Sequence, residues 1–196
     1  MGSGGDFGVA TDYQSNSSIK GAIQRMYSST EAMDANGLTI NLAWLAASLV
    51  VIACAAWLIK RLCEEHLLVD AQLVTALTLL LISPVSWSHH WVWLTLIIPV
   101  FVYRAWTWLP SGWAAGSLLT VLVAWSAMLL TVPPKWWWGD QVDVHAMERY
   151  QKFWVDDFVW LTILTVALFT AAFYASQRNN RNANTACLLY TSPSPR

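Results

Sequence analysis

The sequence predicts an all-α protein, a polytopic membrane bundle of about five spanning helices. Three observations carry that prediction. Of the 196 residues, 56% are hydrophobic and only 12% are charged, about half the charged share of an ordinary soluble domain. The apolar residues gather into runs close to the roughly 20 residues needed to cross a bilayer. Prolines and short basic clusters punctuate those runs. The net charge of -1 and the lack of a basic stripe argue against a nucleic-acid partner. Cys54, Cys63 and Cys187 have no motif spacing, so neither a disulfide framework nor a metal site is read from them.

Residues 1–39 form a polar, extracytoplasmic segment with a short helix from about 19 to 33, capped by Ser17 or Ser18. The first span covers about 40–59 and stops at Lys60 and Arg61. The second covers 67–84, with Asp70 near its start. The third covers 87–103 and contains Pro99, where a kink is expected. The fourth, 113–132, is closed by Pro133 and Pro134. The fifth, 157–176, leads into a cytoplasmic tail over 177–186. Residues 187–196 break with the preceding Arg/Asn-rich stretch and read as translated adapter or vector sequence. No basic, apolar leader opens the chain, and the favoured expectation is a downstream piece of a longer protein.

The loops alternate sides. Lys60, Arg61, Arg104, Arg178 and Arg181 fall in short stretches on one side; Lys20, Arg25, Lys135, Arg149 and Lys152 are spread thinly on the other. The positive-inside rule makes the first side cytoplasmic. Residues 1–39, the 85–86 junction and the 133–156 loop then share the outer face of a plasma membrane.

The junction carries the chemistry. Ser83-Pro84-Val85-Ser86-Trp87-Ser88-His89-His90-Trp91-Val92-Trp93 places two histidines among serines and tryptophans between two spans. Ionisable groups at membrane depth are costly enough to point to function. Pro84 ends one helix and Ser86 is placed to cap the next, which would put His89 and His90 in a first turn with free N–H groups and a dipole that favours anions. A neutral imidazole there can bind a phosphate oxygen or a sugar hydroxyl, or shuttle a proton. On an α-helix Ser86, His90 and Trp93 share a face, and Trp87 and Trp91 would flank His90 as a flat plate for a sugar. The alternative is a pair of interfacial histidines bonded to loops. Haem ligation is disfavoured, because adjacent helical histidines point about 100° apart.

This run resembles the signature of glycosyltransferase family 87, actinobacterial membrane mannosyltransferases of the GT-C superfamily. A second stretch, Asn16-Ser17-Ser18-Ile19-Lys20-Gly21 followed by Arg25, is similar to the family's Asn-Gln-Ser…Gly…Arg pattern, with Ser17 in place of Gln. The resemblance implies the C-terminal portion of a GT-C type fold. It also implies a general base upstream of this chain, and a fragment inactive by itself. By the same resemblance, mannose passes from a polyprenyl-phosphate donor to a mannoside glycolipid of the phosphatidylinositol mannoside or lipomannan class, in cell-envelope synthesis. His89 and His90 are then catalytic. Asn16, Ser18, Lys20, Arg25, Ser86, Trp87, Ser88, Trp91, Trp136 and Trp137 contact substrate, with Lys20 and Arg25 facing the donor phosphate. No resident cofactor is implied, and metal dependence stays open.

Simpler readings stand beside these. Lys20 and Arg25 also fit a solvated helix face, and Trp136 to Trp138 an interfacial anchor. Asp140, Asp143, Asp156 and Asp157 read as solvated carboxylates, and Asp70 and Arg104 as groups snorkelling to water. A transporter or flippase subunit and a non-catalytic assembly subunit are the competing classes. Consumption of the lipid-linked sugar separates the enzyme from both.

Overall fold

A computed structural model describes residues 11–139 and 142–191; Asp140 and residues 192–196 of the tail lie outside them. The described residues form eight α-helices: α1 (Ile19–Arg25), α2 (Thr30–Ala35), α3 (Gly37–Glu64), α4 (Leu68–Ile82), α5 (Leu94–Trp108), α6 (Trp113–Leu130), α7 (Arg149–Val155) and α8 (Asp157–Thr191). Among these residues there is no named strand, only one antiparallel bridge between Asn16 and Trp87. Four segments are long and apolar enough to cross a membrane: Gly37–Glu64, Ser88–Ser111, Trp113–Trp136 and Asp157–Asn182. The chain is a helical membrane bundle. The second expected span is the short one: α4 has 15 residues, which rise about 22 Å against a hydrocarbon core of about 30 Å.

Local chemistry accounts for the helix ends. α3 runs past Lys60 and Arg61 because both reach Glu64 on the next turn, at 3.9 and 2.9 Å. The chain reverses after Glu65 through His66, held at φ 58°. Leu67 N–H bonds Leu62 O at 2.8 Å and His66 N–H bonds Cys63 O at 3.0 Å, a Schellman closure. α4 stops before Pro84, and Trp44 on α3 donates from its indole to the free carbonyl of Ile82 at 3.0 Å. In place of one helix over 19–33, the chain makes two. Ser18 caps α1 and Ser29 caps α2, each accepting from the backbone N–H three residues on.

The interior is aromatic. Phe101 stacks on Phe169 with centroids 4.3 Å apart, and Trp108 packs against the same ring at 5.2 Å. Nearer the junction, Trp91, Trp125 and Phe158 pack with centroids 5.2–6.5 Å apart. Leucines and valines of α3 such as Leu42, Leu45, Leu49 and Val50 are exposed, as lipid-facing residues would be. At the end of the bundle opposite the junction, Arg104 of α5 grips Asp70 of α4 in a two-bond fork at 2.8 and 2.7 Å, with Asp70 fully buried. These two groups pair with each other and do not snorkel separately to water.

Candidate functional site

The site is built at one end of the bundle from three stretches far apart in sequence: 11–36, 83–93 and 131–157. Asn16 joins the first two. Its side-chain N–H₂ donates to Pro84 O at 3.2 Å and Thr11 O at 2.6 Å, and its Oδ1 accepts from Ser86 N–H at 2.8 Å. Ser17 N–H adds a bond to Ser86 O at 2.8 Å. Ser15 and Ser88 meet through their hydroxyls at 3.0 Å. Gly21 sits where a Cβ would lie 2.7 Å from Asn16 O and 2.9 Å from its Nδ2, so only glycine lets α1 pass this close. Asn16, Ser18 and Gly21 are thus scaffold for the junction. Ser18 also reaches Pro84 O, at 3.4 Å.

This pairing changes the junction itself. Ser86 does not cap a helix, because both its backbone groups are taken by Asn16 and Ser17 in an extended segment. The next turn begins at Ser88 and is a 3₁₀ helix through Trp93. His90 N–H bonds Trp87 O at 2.8 Å, and Trp87 N–H donates to His90 Nδ1 at 3.2 Å. With three residues per turn, the stripes become 87/90/93, 88/91/94 and 89/92/95. Trp91 and Leu94, each 3% exposed, face the core. Trp91 therefore packs against Phe158 and Trp125 and does not flank His90 as a sugar plate. His89 and His90 are exposed side by side, ring centroids 4.3 Å apart.

Two adjacent carboxylates at the entry to α8 hold the rest together. Asp156 takes Arg25 through Nε at 2.9 Å and through a second, very short contact from the terminal nitrogen. Arg25 also donates to the carbonyls of Asp12, Tyr13 and Asn16 at 3.3, 3.0 and 3.0 Å. All of its N–H donors are used and it is fully buried. Arg25 is neither on a solvated face nor directed at a phosphate; it organises the segment that carries Asn16. Asp157 takes Lys135 at 3.1 Å. Lys135 is fully buried, bonds Ser17 Oγ at 2.5 Å and lies 3.4 Å above the Phe158 ring. Asp156 and Asp157 are thus buried ion-pair partners and not solvated carboxylates. Lys20 points elsewhere, over the Trp44 ring at 5.0 Å.

Trp87 and Trp136, expected along a sugar path, are brought together by Tyr13, whose ring lies 6.3 Å from the first and 6.5 Å from the second. Trp137 is more than half exposed and packs on Trp138 and Trp154. Beneath Tyr27, buried His145 meets the Tyr27 carbonyl through Nδ1 at 2.9 Å and Asp12 Oδ2 through Nε2 at 2.7 Å. Lys152 reaches the same carbonyl at 3.1 Å, and burial pushes its ammonium below the ordinary lysine range. Sequence reasoning missed Asp12, Lys135, His145, Asp156 and Asp157. The one signal for them was the Asp-Asp doublet opening a span on the side where Arg25 and Lys135 lie.

The chain is similar to curated proteins of known name. A Mycobacterium tuberculosis protein is 37% identical over 84 residues, which is 42% of this chain and 20% of that protein. It is a polyprenol-phosphate-mannose-dependent α-(1-2)-phosphatidylinositol mannoside mannosyltransferase. A counterpart of the same description from Mycolicibacterium smegmatis is 35% identical over 89 residues, 40% of this chain and 20% of that protein. A third, the pentamannoside mannosyltransferase of M. tuberculosis, is 33% identical over 124 residues, 63% of this chain and 25% of that protein. The matches span a quarter or less of each relative. No family model and no solved structure matches the chain. Across the matched residues, the chain is similar in sequence to polyprenol-phosphate-mannose-dependent α-mannosyltransferases.

Proposed function

We propose that the protein carrying this chain transfers mannose from a polyprenyl-phosphate donor to a phosphatidylinositol mannoside or related mannoside glycolipid. The observation that carries the proposal is the likeness to three mannosyltransferases of that description. In the reaction an acceptor hydroxyl oxygen bonds to the anomeric carbon. The bond from that carbon to the phosphate oxygen breaks, and polyprenyl phosphate leaves with the electron pair. The exposed His89 and His90 supply N–H groups to the donor phosphate or the sugars, where charge develops on the leaving group. The hydroxyl proton needs a free carboxylate. Asp12, Asp156 and Asp157 are committed to His145, Arg25 and Lys135 in turn, so none of these three is free to accept it. The activated sugar enters as a substrate, and the proposal calls for no resident cofactor.

The same proposal places the chain in the plasma membrane with the histidines outside. The support for that orientation is the density of Lys and Arg, which fall in short stretches at the opposite end and are spread thinly on the histidine side. The test is transfer of labelled mannose from polyprenyl-phosphate-mannose in membranes that hold the complete reading frame. His89→Ala and His90→Ala should each lower transfer by about 10²-fold with expression unchanged. Near-normal transfer in both would refute the assignment.

A further inference from the structure

The 3₁₀ turn sends the two histidines to different grooves. His89 lies with Val92 and Thr95 beside an open groove of about 640 Å³ along α5 and α6, walled by apolar residues such as Ile98 and Leu129. His90 lies with Trp93 on a separate groove of about 350 Å³ along α4. The first groove also carries the hydroxyls of Ser88, Thr95 and Ser126, and neither groove is lined by Lys, Arg, Asp or Glu. In the second, Ser83 and Ser86 bring hydroxyls, Gln72 and Thr75 extend the polar lining along α4, and Trp93 is 48% exposed.

Two atoms here are prepared for a ligand. Ser86 Oγ is fully buried and has no hydrogen-bond partner in the protein, although buried hydroxyls are almost always bonded because an unmade bond is costly. His90 Nδ1 accepts from the Trp87 N–H at 3.2 Å, which puts the ring proton on Nε2 and makes that atom a donor. A hydroxyl, an imidazole N–H and an indole face suit an uncharged polyol ring, with its C–H face on the indole and its hydroxyls on the polar atoms. A phosphate would enter this groove with no cation to meet it.

We propose that the His90 groove binds a neutral pyranose, with Ser86 Oγ and His90 Nε2 as its hydrogen-bond partners and Trp93 as its platform. Naming that sugar as the terminal mannose of the acceptor rests on the mannosyl-transfer reading; the neutral-sugar site rests on the groove alone.

The test is saturation-transfer NMR of the chain in nanodiscs with methyl α-D-mannopyranoside, and with inorganic phosphate as competitor. Ser86→Ala removes an oxygen that bonds nothing in the fold, so the protein folds as before, and a merely structural serine would leave binding unchanged. The expected result is a three- to tenfold weaker affinity for Ser86→Ala, about one hydrogen bond, loss of the signal for Trp93→Ala, and no displacement by phosphate. No mannoside signal, equal affinity in both variants, or displacement by phosphate would overturn the proposal. Binding with these sensitivities, together with no mannose transfer by membranes that hold the complete reading frame, would uphold the sugar site and remove the transfer reading. Transfer with a mannoside signal indifferent to both substitutions would do the reverse.

Discussion

Replacing Lys135 by methionine tests the ion pair on which the junction end of the bundle depends. Lys135 Nζ lies 3.1 Å from Asp157 Oδ1, and neither side chain is more than 2% exposed. At an effective dielectric constant of about 20, that separation corresponds to an attraction of about 5 kcal/mol. Desolvation of both ions takes back much of it, so the pair itself adds little net stability. Removing one partner is different, because it leaves Asp157 charged, buried and unpaired, at a cost of about 3–5 kcal/mol. Ser17 Oγ and the Phe158 face would lose their cation in the same step. The assay is a double-mutant cycle with Lys135→Met, Asp157→Asn and the combined variant, read by denaturant unfolding in mixed micelles. The single substitutions should each cost several kcal/mol, and the double should cost far less than their sum. Additivity within about 0.5 kcal/mol would show that the two groups do not depend on one another and refute the reasoning.

Two further substitutions separate the ends of the molecule. Gly21→Ala should improve the local helix propensity of α1 and still destabilise the protein by about 1–3 kcal/mol, because the new Cβ meets the Asn16 backbone at 2.7 Å. Transfer should fall with stability, and a more stable variant with full transfer would contradict the scaffold role of Asn16. Asp70→Asn, at the far end, should cost about 1–3 kcal/mol by removing the charged half of the fork to Arg104, whose side chain keeps partial access to water. It should leave KM for the lipid-linked sugar unchanged in whatever fraction folds, and a raised KM would mean that the two ends are coupled.

The stretches singled out by the resemblance, Ser83 to Trp93 and Asn16 to Arg25, lie together at one end of the bundle, and the structure shows what several of their residues bond. Asn16, Ser18 and Arg25 hold the junction in shape. The spacing of Asn16, Gly21 and Arg25 follows from one geometric fact: α1 must pass close over Asn16 while Arg25, one turn later, bonds back to the Asn16 carbonyl at 3.0 Å. Trp91 was legible as a notable residue and illegible as a core residue, because the face it occupies depends on whether the turn has 3.0 or 3.6 residues.

Hydropathy, proline and basic clusters are properties of neighbouring residues, so the sequence alone determined a helical membrane bundle, the placement of its apolar runs and the polar break between α4 and α5. Capping at Ser18 and the stop before Pro84 are local in the same sense. The tertiary structure alone decided the 3₁₀ form of the junction, since the competing cap at Ser86 is lost to bonds from Asn16 and Ser17, some 70 residues away. It alone decided that Arg25 and Lys135 are buried, since their partners Asp156 and Asp157 stand 131 and 22 residues distant. A charge is admitted to the interior only by the partner that meets it there, and no local pattern names that partner.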